Sequence, residues 1–434
     1  MPGRCTLRKN GTAVPDQIYS PSHKKDKKLG TMTGLDRRTV LRKAGAAAGA
    51  ALLGAGRQAQ AQTVEMPFGN GTRPLVAYPE KRALIRMTSR PPQLETPFTV
   101  FDEGLLTPND AFYVRYHLVG LPTDEIDPDI YRLAVKGQVA TSLSLSLAEI
   151  KAMPATELVA VSQCSGNGRG FFEPRVAGGQ AGNGLMGNAR WTGVPLRAVL
   201  DRAGVKAGAV QVQFDALDGP VADGTPDFAK ALDLDHARDG EVMLAWAMNG
   251  AELPFLNGYP LRLVVPGHYG TYWVKHLNEV TVLDRPLDNY WMKTAYRIPD
   301  NDCNRVTPGT APAATKPIGR FKVRSFITSV ADGARMAAGQ PTMLRGIAFD
   351  GGSGIRQVQV SADGGATWAD AKLGQDLGKY SFRGWDAPVT LTAGRHALKV
   401  RAVSNAGETQ PVEQPWNPAG YLRNLIETVT VDAA

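Results

Sequence analysis

Residues 161–170 read VSQCSGNGRG: one cysteine, Cys164, in a run where Gly166, Gly168 and Gly170 alternate with Asn167 and Arg169. A cysteine of purely structural kind is a small buried hydrophobe. Such a residue has no need of three glycines, whose use is to let backbone come close to a bound group. A zinc site wants four Cys or His ligands, yet the chain has no C-x-x-C pair and no H-x-x-x-H spacing, and the C-x-x-C-H of covalent haem attachment is missing. The glycines match neither G-x-G-x-x-G nor a phosphate loop ending in GK[ST]. Three readings of Cys164 stay open on the residues alone. It can pair with Cys303 in a disulfide, act as a nucleophile with one of the six histidines as base, or give a soft thiolate to a metal otherwise held by an organic cofactor.

Outward from this loop the pattern is of short strands bounded by Gly, Pro, Asn or Asp: YRLAVKGQV at 131–139, VQVQF at 210–214, EVMLAWAM at 241–248, LRLVVPG at 261–267 and VKHLNEVTVL at 274–283. Helical periodicity is confined to SLAEIKAM at 146–153 and VPLRAVLDRAG at 194–204, where Leu196, Val199 and Leu200 share a face and Gly204 offers a stop. This part of the chain therefore reads as α+β. A proline-rich stretch, VTPGTAPAATKPIG at 306–319, can continue neither a helix nor a central strand and marks a boundary. Beyond it the pattern is all-β: TMLRGIAF, then GIRQVQVSADGGATWADA with a tight Asp363-Gly364-Gly365 turn, then RHALKVRAVSNAG. That order of strands and turns predicts an immunoglobulin-like sandwich.

The net charge of +8 is local: residues 1–61 carry 12 Lys/Arg against 3 Asp/Glu, so the rest of the chain is close to neutral. Without a basic face there, nothing marks a nucleic-acid partner. No apolar run reaches the roughly 20 residues of a bilayer span. LDRRTVLRK at 35–43, the small apolar AGAAAGAALLGAG and an A-x-A-like site at 59–61 read as a twin-arginine export signal. That route carries folded proteins, so a periplasmic location and a cofactor inserted before export are expected. The expected organisation is a leader at 1–61, a catalytic domain at 62–318 and the sandwich at 319–434.

VSQCSGNGRG together with FYVRYHL at 112–118 closely resembles the molybdenum cofactor domain of the sulfite oxidase family, and GIRQVQVSADGGATW with WNPAGY at 416–421 resembles that family's C-terminal dimerisation domain. The likeness covers nearly all of residues 62–434, and is greatest to the exported bacterial sulfite dehydrogenases. It implies a molybdopterin-binding, sulfite-oxidase-like α+β domain followed by the all-β sandwich, with a molybdenum-pyranopterin cofactor and no haem in this chain.

By that resemblance Cys164 is the protein's ligand to molybdenum. Arg115 orients an oxyanion substrate, His117 and Tyr113 lie in the cofactor pocket, Arg169 is a second substrate-pocket arginine, and Tyr296 hydrogen-bonds substrate or Arg115. Asn257, Arg262 and Lys275 hold the pterin and phosphate ends. Fixed guanidinium forks suit compact, multiply charged oxyanions. On an extended FYVRYHL, Tyr113, Arg115 and His117 share a face. The sequence departs from the pattern at Ala419, where many eukaryotic relatives carry an arginine, so the pocket is expected to hold one cation fewer.

The implied reaction is sulfite + water → sulfate + two electrons + two protons, with the electrons leaving one at a time to a c-type cytochrome. A heterodimer with that cytochrome is favoured over a homodimer. Two competing readings are an exported molybdoenzyme that reduces sulfoxides such as methionine sulfoxide, and a non-enzymatic β-sandwich binding protein with an inert Cys164.

Overall fold

The computed structural model describes residues 62–66, 69–121, 126–220 and 222–434. The expected twin-arginine signal at 35–61 lies outside the described residues. Both helices expected from periodicity form. Leu147–Lys151 starts at a capping box in which Ser146 and Glu149 satisfy each other's backbone. Leu196–Ala203 buries Leu196, Val199 and Leu200 and ends at Gly204 in the left-handed region. The latter begins two residues later than its pattern, because Val194 and Pro195 belong to the strand Met186–Pro195.

Two sheets build the body of the first part. One has the order Lys230–Asp233, Gln211–Ala216, Leu277–Leu283, Arg132–Gly137, Leu143–Ser146, with a single parallel pair between Leu277–Leu283 and Arg132–Gly137. The other runs Ala251–Glu252, Met243–Met248, Met186–Pro195, Thr156–Gln163, with Arg262–Val264 also pairing onto Met243–Met248. Trp191 is fully buried between them and donates to the carbonyl of Ala160 at 3.0 Å. A meander of Thr63–Glu65, Thr72–Val76, Leu84–Thr88, Gln93–Glu95 and Val114–Arg115 covers one side and delivers the FYVRYHL segment.

The C-terminal part is mostly β. A four-stranded sheet (Arg324–Ile327, Pro341–Phe349, Arg383–Thr390, Lys372–Leu373) faces a five-stranded one (Ala334–Met336, Glu427–Ala433, Gly394–Ser404, Ile355–Ser361, Ala369–Asp370) across Leu344, Val358, Leu398, Val400 and Val431. The Asp363 turn forms, with Gly364 and Gly365 both at positive φ and Asp363 accepting from Thr367. The proline-rich stretch is not a break in packing: Phe326, Phe349 and Phe382 join the same core as Phe101, with Phe101 and Phe382 edge to face at 6.0 Å. The described residues form one compact unit. Among the described residues no helix is long and apolar enough to cross a membrane.

Candidate active site

The strand Thr156–Gln163 ends at Cys164, whose amide donates to the carbonyl of Leu185 at 2.9 Å and whose carbonyl accepts from Asn167 N–H at 3.0 Å. Asn167 in turn accepts from Leu185 N–H at 2.9 Å and sends its amide to Gln163. Gln163 also receives the fully buried Arg324 at 3.2 Å, so a residue of the C-terminal part braces the cysteine loop. Gly168 sits at φ +82, where an added Cβ would lie 2.9 Å from both Arg423 and Asn183. The glycines therefore serve close packing beneath the loop and leave the thiol side clear. Cys164 is free and half-buried, so the disulfide with Cys303 does not exist.

The thiol opens into a cavity that gathers nearly every residue singled out from the sequence: Tyr113, Arg115 and His117 on one wall, Asn257, Arg262 and Lys275 on another, and Tyr296. Only Val114–Arg115 of FYVRYHL is formally strand, yet the alternation holds. Arg115 donates to the carbonyl of Tyr116 and lies 3.5 Å from the Tyr296 hydroxyl. That hydroxyl is hydrogen-bonded to His117 Nε2, and the imidazole stacks on Phe228 at 3.7 Å. Burial, with Arg115 and Lys275 adding to it, holds the His117 pKa well below its usual range, so the ring is neutral.

The opposite wall is cationic. Arg262 lies 4.9 Å over the Trp191 ring and donates to the carbonyl of Asn257 at 2.7 Å. Lys275 rests 3.0 Å over Tyr116. Gly258, at φ +112, lets the two approach: an added Cβ would meet the Cβ atoms of Arg262 and Lys275 at 3.1 Å each. Burial pushes the pKa of Lys275 well below its ordinary value and that of Arg262 down to about 10.

Three lining atoms are buried and unpartnered: Arg262 Nε, Thr271 Oγ1 and Ser165 Oγ. Buried polar atoms are nearly always bonded, so this wall is built for an oxygen- and nitrogen-rich anionic group. No cluster of three or more His, Cys, Asp or Glu side chains that could hold a bare metal ion exists among the described residues. A lone thiol facing a wall rich in donors fits a metal carried on a phosphate-bearing cofactor, with Cys164 toward the metal and Arg262, Lys275, Thr271 and Ser165 toward the rest.

Arg169 does not reach this lining. Its Nε donates to the carbonyl of Ala419 at 3.1 Å and its guanidinium lies 5.1 Å over Tyr421, which stacks on Tyr296. Sequence reasoning also missed residues. Asp218 faces the cavity and is pushed up to about 6 by burial, against the pull of Lys275. It comes from a loop whose acidic residues look like any solvated turn. Lys81 is buried and donates to Asn257 Oδ1 and, at 3.1 Å, to the carbonyl of Phe112, fixing two walls at once. No local signal marks it, since both partners are distant in the chain.

A cavity of this make-up on this scaffold defines a molybdopterin-binding oxidoreductase. Residues 120–291 match the model of the oxidoreductase molybdopterin binding domain and residues 315–433 that of the Mo-co oxidoreductase dimerisation domain. The chain is 33% identical to the mitochondrial sulfite oxidase of Mus musculus over 84% of its own length and 68% of the relative's. It is 34% identical to the sulfite oxidase of Gallus gallus over 80% and 78%. Among solved structures it is similar to the sulfane dehydrogenase SoxCD of Paracoccus pantotrophus, at 25% identity and TM-score 0.68, covering 80% of this chain and 88% of that one. The chain belongs to the sulfite oxidase family. It spans about two thirds of the length of the mammalian relatives.

Proposed function

We propose that this protein is a sulfite dehydrogenase: it oxidises sulfite to sulfate at a molybdenum-pyranopterin centre and passes the electrons to a c-type cytochrome. The observation that carries the reading is the meeting, in one cavity, of the free thiol of Cys164 with Arg115, His117 and Tyr296. When bound, the cofactor supplies the two-electron oxidation and the oxygen transfer. The chain's own residues bind and orient. Arg115 offers a fixed cation for the oxyanion, and the Tyr296 hydroxyl, shared with His117, offers a neutral donor that does not trap the product as a second charge at that point would. The neutral imidazole of His117 orients the Tyr296 hydroxyl through its hydrogen bond at Nε2. Arg262 and Lys275 would hold the anionic end of the cofactor. Phe228 and Trp273 give the lining apolar surface that excludes water beside these groups.

The finer organisation belongs to the same proposal: residues 1–61 as a twin-arginine leader to the periplasm, 62–318 as the catalytic domain and 319–434 as an immunoglobulin-like sandwich, with the cytochrome as partner subunit in a heterodimer. The test is metal and pterin analysis of the exported protein together with a sulfite assay using ferricyanide. The expected result is one molybdenum per chain, sulfite-dependent reduction and no Soret band from this chain. Metal-free protein, or reduction of methionine sulfoxide without sulfite oxidation, would overturn the reading. A sulfane-sulfur donor serves as the comparison substrate, and preference for it would overturn the choice of sulfite.

A further inference from the structure

Lys230 opens the strand Lys230–Asp233 and is 1% exposed. Its ammonium donates to the carbonyl of Trp291 at 2.7 Å. It lies 4.7 Å from the ring centroid of Tyr272 and 5.3 Å from that of Tyr296. No ion pair holds it among the described residues, and the charge that bears on it is that of Arg297, another cation. Enclosing an ammonium without a counter-ion is costly. Packing alone does not explain it, because a methionine fills the same space without the charge.

What the ammonium faces is the back of the substrate pocket. Tyr296 turns its hydroxyl to His117 and Arg115, and its backbone is held at φ +57, a conformation uncommon for a residue with a side chain. Tyr421 stacks on Tyr296 with centroids 5.7 Å apart and planes 9° from parallel, and carries Arg169 over its own ring. Two cations, Lys230 and Arg169, thus bear on one stacked tyrosine pair. A cation against a ring draws electron density from it and makes its hydroxyl a better donor.

We propose that Lys230 is a positioning residue for the substrate anion. Its charge, applied through the Tyr296 ring, strengthens donation by the Tyr296 hydroxyl into the pocket and supplies part of the attraction that a side chain at Ala419 does not. The Trp291 carbonyl ties the ammonium to the segment just before Tyr296, so the same contact holds the ring in place. For the identity of the anion the inference rests on the sulfite reading above.

The experiment uses the full-length, molybdenum-loaded protein at about pH 6, since burial lowers the Lys230 pKa to about 7. Lys230→Met is expected to raise the KM for sulfite and the inhibition constant for sulfate about 5- to 20-fold while kcat stays within about twofold. In a Tyr296→Phe background the same substitution is expected to change KM by less than about twofold, because the hydroxyl through which the charge acts is gone. Lys230→Gln keeps a donor for the Trp291 carbonyl and discards the charge; should Lys230→Met fail to fold, the same split is expected of it. An unchanged KM at full metal content, a fall in kcat equal to the rise in KM, or an undiminished effect in the Tyr296→Phe background would overturn the proposal. Sulfate binding, measured directly on the resting protein, needs no turnover. Wild-type protein that consumes no sulfite sinks the functional reading, whereas sulfate affinity unaltered by Lys230→Met sinks this one.

Discussion

Arg169 and Ala419 are joined by a hydrogen bond of 3.1 Å from the guanidinium Nε to the backbone carbonyl. The bond is possible because Gly420 follows at φ +62, in a place where a Cβ would lie 2.9 Å from Arg169 Cγ. Asn417 closes the turn by accepting from Tyr421 N–H at 3.1 Å and donating to its carbonyl at 2.8 Å. The WNPAGY segment is therefore a clasp on the arginine that follows the cysteine loop, and Arg169 acts on the pocket from behind Tyr421.

For Arg169→Gln this geometry sets a modest effect on substrate. The KM for sulfite is expected to rise about fivefold, as for the loss of one charge-assisted contact. Steady-state kinetics check it, and a loss beyond about a hundredfold would mean that the side chain touches substrate directly.

Cys164→Ser replaces a soft donor by a hard one with no change in the backbone bonds to Leu185 and Asn167. The variant is expected to fold and to retain molybdenum and pterin, with sulfite turnover abolished. Metal assay beside activity is the check; normal rates would remove the ligand role.

Gly258→Ala tests the cationic wall. Positive φ and the 3.1 Å approach to Arg262 and Lys275 both resist a methyl group, at a cost of about 1–3 kcal/mol. A lowered melting midpoint and a pterin content well below one per chain are expected. Equal pterin content in variant and wild type would show that the two cations need not lie so close.

Glu95 gives a pH prediction. Its carboxyl accepts from Gly182 N–H at 3.1 Å and Gly184 N–H at 2.9 Å, yet burial dominates and raises its pKa from 4.5 to about 7. Between those values the folded state binds more protons than the unfolded one, so this group's contribution to stability is lost as pH rises from about 4.5 through 7. The stability difference between wild type and Glu95→Gln is expected to move by about 3 kcal/mol against the wild type across that window. Denaturant titrations at pH 4.5 and 8 measure it, and a pH-independent difference would show that the Glu95 pKa is the same in the folded and unfolded states.

Much of the site was legible where chemistry and chain order coincide. The lone thiol among glycines, the alternating Tyr113, Arg115 and His117, and the Asn257 to Lys275 stretch each carry their signal within a few residues. Strand and helix positions followed for the same reason, periodicity and caps being local. Asp218, Lys81 and Lys230 were not legible, because a buried charge looks like a surface charge until its surroundings are known. Arg169 shows the reverse case: its type and spacing were plain, but its direction was set by Ala419 and Tyr421, some 250 positions away.

The amino-acid order alone determined where the periodic strands and the two helices form, that Cys164 stands in an unusual glycine setting, and to which family the motifs point, all of these being properties of short stretches. Tertiary structure alone decided that eight of the nine expected residues share one cavity, that Arg324 from the C-terminal part braces the cysteine loop, and that a buried ammonium lies against Tyr296. The physical reason is that the energy of a charge depends on what encloses it, and that enclosure is assembled from segments far apart in the chain.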